Sequence, residues 1–172
     1  MIFPLLQIVA IAVVAVYLNC WRTSARRRNA QSWDSLLARL RTDWSARELN
    51  DHLLRKEGPS PTPEETWNRI HGPHGLWAMY ENAGVMLEMA DYAARNSDMV
   101  DRELLATLRS DAMQIRVSVL MVIAKYAFSQ VNESICVNAF RATSMYTGMA
   151  ARMTQFLEAT AAPMLPEFVA AM

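Results

Sequence analysis

Only two of the 172 residues are cysteine, five are glycine and three are histidine. Cys20 and Cys136 are too few and too far apart in sequence to make a disulfide framework, and Cys136, in an apolar helical stretch, reads as a small core residue. Scarce glycine and scarce apolar–polar alternation argue against hairpins and sheets. The chemical signatures are missing too. There is no Glu-x-x-His of a di-iron bundle, no Cys-x-x-Cys-His haem site, no glycine-rich phosphate loop and no G-x-S-x-G elbow. Net charge is zero, and no basic face marks a nucleic-acid-binding body. These absences point away from an enzyme and imply no cofactor.

Basic residues are lacking altogether before Arg22, and that absence frames the most informative stretch. Ile2 to Leu18 is apolar except for Gln7, and Arg22, Arg26, Arg27 and Arg28 follow directly. Extended to Trp21, a helix here covers roughly 30 Å, enough for the hydrocarbon core of a bilayer. Tyr17 and Trp21 suit the interface, and Arg22 suits a snorkelling position beside the headgroups. Pro4 is tolerated near a helix start, where a missing donor has no partner to lose. Cations on the far side of the run predict a single-pass inner-membrane protein, N-terminus outside and C-terminal domain cytoplasmic. A cleaved signal peptide or lipoprotein fits less well, because the first residues carry no positive charge and Asn19 stands where a small residue is expected before Cys20.

Zero net charge hides an asymmetry. Trp21 to Glu57 holds nine basic and five acidic residues, whereas Gly58 to Met172 holds eight and twelve. The positive part hugs the predicted membrane, as attraction to anionic lipid favours. The expected organisation is a transmembrane anchor over residues 1–22, a basic juxtamembrane helical segment over 23–57, a linker at 58–63 and a helical bundle over 64–172. The fold class is all-α, with a cytoplasmic bundle of about four to six helices after the anchor.

Helical spacing supports this nearly everywhere. Gln31 to Arg41 places Trp33, Leu36, Leu37 and Leu40 on one face. Ser45–Glu48 and Thr62–Glu65 are helix-start signatures, the second with proline at the first helical position. Gly58-Pro59-Ser60-Pro61 cannot be helical. A short helix with Trp67 and Ile70 ends near Gly72, and Pro73 opens a longer one striped by Leu76, Met79, Tyr80, Ala83, Leu87, Ala90 and Ala94. Asn96 to Asp98 makes the next turn, with Ser97 or Asp98 as cap. Leu108, Ala112, Ile115, Val119, Val122 and Tyr126 then form a seam in steps of four and three, as do Ile135, Ala139, Ala142, Tyr146, Met149, Met153 and Phe156. The segment Val117 to Ala124 is as apolar as a membrane span but too short between Arg116 and Lys125. Ser129 to Asn132 is either a turn or continuous helix, and Pro163 and Pro166 end the last helix.

Three groups of residues are candidates for specific work. Glu81, Glu88 and Asp91 share one side of their helix, and Arg102, Arg109 and Arg116 recur every seven residues on the next. Antiparallel folding about Asn96 to Asp98 would bring Glu88 level with Arg109 and Glu81 with Arg116, so the pattern is either an interhelical ion-pair ladder or two independently solvated faces. His71 and His74 flank a glycine–proline turn and are the first metal candidates, though zinc needs three or four ligands. The methionines Met79, Met86, Met89, Met145, Met149 and Met153 read as core filler, with a soft partner groove as the alternative.

The plan of anchor, arginine-rich juxtamembrane helix and the run from Tyr80-Glu81-Asn82 through Val100-Asp101-Arg102-Glu103-Leu104-Leu105 resembles uncharacterised bacterial membrane-anchored helical domains. That resemblance implies a helical fold and no activity. The functional expectation is a non-catalytic interaction module: a scaffold, adaptor or accessory subunit with a protein partner or a second copy of itself. The alternative is a small-ligand or metal-binding sensor using the bundle interior, with His71 and His74 as its ligands.

Overall fold

The computed structural model describes residues 32–41, 49, 53, 61–97, 100–129, 131–160 and 165–171. Among the described residues there is no strand, and six helices are formed: α1 Trp33–Leu37, α2 Pro63–Arg69, α3 Pro73–Arg95, α4 Arg102–Phe128, α5 Glu133–Ala159 and α6 Leu165–Ala171. Contacts divide the chain into units Met1–Ser32 and Trp33–Met172, and the second is the body described below. The proposed anchor, its interfacial Tyr17 and Trp21, and Arg22, Arg26, Arg27 and Arg28 lie outside the described residues, as do Ser45–Glu48 and His52. Among the described residues no helix is long and apolar enough to cross a membrane.

The three long helices α3, α4 and α5 pack on one another, with α1 against α3 and both α2 and α6 against α5. Their facing seams supply the core. On α4 Leu108, Ala112, Ile115, Val119 and Val122 are buried, and on α5 all seven expected positions from Ile135 to Phe156 are buried. Helix α3 is buried around a wider arc than one stripe predicts: Ala78, Asn82, Val85, Met86, Met89 and Ala93 join the core. The reason is position, since α1, α4 and α5 cover it from several sides. Met79, Met86, Met89, Met149 and Met153 are fully buried filler, where an unbranched thioether fits irregular gaps. Cys136 is buried, and desolvation, helped by the carboxylate of Glu64, pushes its thiol above the ordinary range.

Local signals set most boundaries. Thr62 caps α2 with a reciprocal box: its hydroxyl accepts from Glu65 N–H at 3.2 Å and the Glu65 carboxylate accepts from Thr62 N–H at 3.2 Å. His71 and Gly72 both sit at positive φ, 54° and 59°, and turn the chain into Pro73. A side chain at Gly72 would meet the Trp67 ring at 2.7 Å. The helix does not continue from α4 into α5: Ser129 and Asn132 are extended, and Asn132 caps α5 by accepting from Ile135 N–H at 3.0 Å.

Three boundaries differ from the sequence reading. The cap of α4 is Asp101, whose carboxylate accepts from Glu103 and Leu104 N–H, so the connection runs further than Ser97 or Asp98. Pro166 lies in the first turn of α6 rather than after a last helix, a place where proline removes no helical bond. Phe168 then inserts into the core at 1% exposure and seats α6 against α5. Finally, Trp33, Leu36, Leu40 and Leu49 belong to the same core as the bundle, so packing starts well before the proline-rich linker.

Candidate functional site

A surface cleft of about 360 Å³ collects three of the six charged residues expected in the ladder, Glu81, Glu88 and Arg116. It is lined by Arg39, Arg41, Tyr80, Glu81, Gly84, Val85, Glu88 and Arg116. Three elements build it: the turn after α1, the outer edge of α3 and the middle of α4.

The turn after α1 is held by one buried amide. Asn82, on α3, accepts from Arg41 N–H at 2.8 Å and donates back to the Arg41 carbonyl at 3.0 Å. Its amide also donates to the Tyr146 hydroxyl at 3.0 Å. Helix α1 stops at Leu37, short of the expected Arg41, and this clamp takes up both backbone groups of Arg41 outside the helix. Tyr146 is fully buried, and desolvation pushes its phenol up to about 12, with the Asn82 bond pulling weakly the other way.

With the turn so held, Arg39 bonds Glu88 and Arg41 reaches Glu81 at 3.3 Å. This changes the expected ladder. Glu88 does not meet Arg109, and Glu81 does not meet Arg116, because Arg39 and Arg41 hold these acids. Arg109 instead bonds Asp91 at 2.8 Å, one turn further along α3. Arg116 donates to the Tyr80 hydroxyl at 2.7 Å and lies over its ring at 4.3 Å. Arg102 is exposed at the start of α4. A separate pair, Arg152 to Asp111 at 2.6 Å, ties α5 to α4.

The cleft has an aromatic lip. Trp77 is 43% exposed, stacks on Tyr80 with ring centroids 5.1 Å apart, and donates its indole N–H to Glu81 at 3.1 Å. Trp77, Tyr80 and Arg116 thus form a continuous surface stack of two rings and a guanidinium. Sequence reasoning placed Tyr80 on the core stripe and missed Trp77. The available signal was the spacing of Trp77, Tyr80 and Glu81 at three and four residues on a helix, which aligns them on one face.

His71 and His74 are exposed, one in the positive-φ turn and one in the first turn of α3. Among the described residues no group of three His, Cys, Asp or Glu could hold a metal ion. The bundle interior where a sensor ligand would sit is filled by Leu76, Met79, Tyr146 and Phe156, all fully buried. Chemically, the cleft offers guanidinium groups, carboxylates and stacked rings, a set suited to binding by charge and by flat contact. Comparison of the chain with protein-family models, characterised proteins and solved structures finds no match.

Proposed function

We propose that this chain is a membrane-anchored helical interaction module, a scaffold, adaptor or accessory subunit whose contact surface is the Trp77–Tyr80–Arg116 stack beside the charged cleft. The observation that carries the reading is the exposure of this stack. Tryptophan, tyrosine and arginine are the residues that dominate binding energy at protein interfaces: the two rings offer large contact area with few rotamers to freeze, and the guanidinium offers a planar fork of donors that stacks on rings. Here all three are pre-ordered: the rings are stacked, the indole is hydrogen-bonded and the guanidinium is fixed over a ring. The apolar run Ile2 to Leu18 and the cations after it support tethering to the inner membrane with the bundle in the cytoplasm. The clamp of Asn82 on Arg41 supports a firm hold between the segment that leads toward the run and the bundle.

The test is affinity capture of the full chain from membranes in mild detergent, compared with Trp77→Ala and Arg116→Ala. A fixed partner should be retained by the parent and lost by either variant, since truncating a hot-spot residue costs about 2–4 kcal/mol of binding. Retention of the same partner by both variants would remove the stack from the interface.

A further inference from the structure

Helix α4 carries two apolar faces. One is the buried seam already described. The other faces solvent: Met113, Val117, Leu120, Met121 and Phe128 are 65%, 48%, 46%, 57% and 92% exposed. Met113, Val117, Leu120, Ala124 and Phe128 follow one another in steps of four and three, so they form a stripe along one side of the helix. This explains why Val117 to Ala124 is apolar enough to suggest a span: both sides of the helix are greasy, one for the core and one for something else.

The margins of the stripe are cationic. Arg116 flanks it on the α3 side, beyond which Arg109 is already paired with Asp91, and Lys125 lies on the α5 side, where Arg141 of α5 shares a small cavity with it, Met121 and Val122. A larger shallow cavity of about 390 Å³ continues past Lys125 and Phe128 to Ile135. Neither cavity is lined by an acid, and among the described residues neither Lys125 nor Arg141 has an ion-pair partner. Between Glu103 and Glu133 the only carboxylate is Asp111, and it is turned to Arg152. The occupant is therefore apolar in the middle and anionic at its edges.

We infer that this face of α4 lies on the anionic leaflet of a bilayer, as a second membrane contact beside the proposed anchor. The inference rests on the reading that Ile2 to Leu18 is held in lipid, which brings the body within reach of a leaflet. An apolar helix face bordered by cations is the arrangement that sinks into the headgroup–acyl boundary. A second copy is a poorer occupant. The stripe from Met113 to Phe128 is roughly 23 Å long and one helix wide, at 1.5 Å per residue and a diameter of about 10 Å, far below the roughly 600–1,000 Å² per partner of a stable protein interface.

The experiment uses the full chain in vesicles, with Cys20→Ser and an environment-sensitive fluorophore attached after Met121→Cys or Phe128→Cys; buried Cys136 stays unlabelled. Vesicles are phosphatidylcholine alone or mixed with phosphatidylglycerol. In the mixed vesicles the label should be quenched by lipid-borne nitroxides and shielded from iodide. Lys125→Glu with Arg141→Glu should reverse this, each lost cation weakening the seat about fivefold, the equivalent of about 1 kcal/mol per surface cation. Leu120→Glu, at an exposed site that leaves the core untouched, should also abolish it. A label open to iodide in both vesicles overturns the inference, as does shielding that persists in detergent and disappears on dilution, which marks contact between copies. Flotation of the same samples reads the anchor separately: a chain that floats with an exposed label sinks this inference alone, and one that never floats sinks the anchor as well.

Discussion

At the scale of single residues, two helical glycines of similar appearance have opposite roles. A side chain at Gly75 would lie 2.1 Å from the Ile70 carbonyl, a backbone atom that cannot step aside. At Gly148 the nearest neighbour is the far end of Arg152 at 3.6 Å, ordinary contact. Gly75→Ala should destabilise the fold by about 1–3 kcal/mol or more through overpacking, whereas Gly148→Ala should gain up to about 1 kcal/mol of helix propensity. Urea unfolding of the two variants side by side checks both signs. Tyr146 gives a pH dependence. Its phenol rises from 10.0 to about 12 in the fold, so its contribution is complete below pH 10 and lost as pH climbs through 12. Full ionisation removes about 2–3 kcal/mol at 1.36 kcal/mol per unit. Thermal melts across that range should fall more steeply for the parent than for Tyr146→Phe, and identical slopes would refute the assignment.

At the scale of elements, the bundle edge shows that spacing by itself does not decide a pairing scheme. The acids on α3 and the arginines on α4 have the right spacing for a ladder, yet two of the acids are taken by Arg39 and Arg41. Such exposed pairs contribute only about 0–1 kcal/mol each, so they do not select the arrangement. The buried amide does. Asn82 is 1% exposed and makes three hydrogen bonds, two of them to the backbone of Arg41. Asn82→Ala should cost about 1–3 kcal/mol, because it strands a buried hydroxyl and two backbone groups. Hydrogen exchange should speed up at the Arg41 amide while the middle of α5 keeps its protection relative to the new global stability. Uniform loss of protection would show that Asn82 is a generic core residue instead of a clamp.

For the whole molecule, the proposed tethering makes two predictions. A C-terminal fusion to an enzyme that is active only in the periplasm should stay silent, and a cytoplasmic reporter at the same place should be active. The opposite pattern would reverse the orientation and remove the basis for placing the bundle in the cytoplasm. Deleting residues 2–18 should release the chain from salt-washed membranes, because headgroup attraction by itself is screened within a Debye length of roughly 8–10 Å.

The all-α class, the three long helices, the Thr62 cap, the α5 seam and the α4 seam from Leu108 to Val122 were determined by sequence alone, because each depends on spacing within one element; the last expected α4 position, Tyr126, is 40% exposed. Residues three and four apart share a helix face whatever packs against it, and a proline or capping threonine acts on its own backbone. The wider burial of α3, the helix after Pro166 and the early start of the core at Trp33 were decided by tertiary structure, since each depends on what another element covers. The same holds for the candidate site. Its glutamates and arginines could be read from the chain, but which of them meet depended on Asn82 holding a segment 41 residues away against α3. Local spacing assigns faces; only the packed whole chooses their partners.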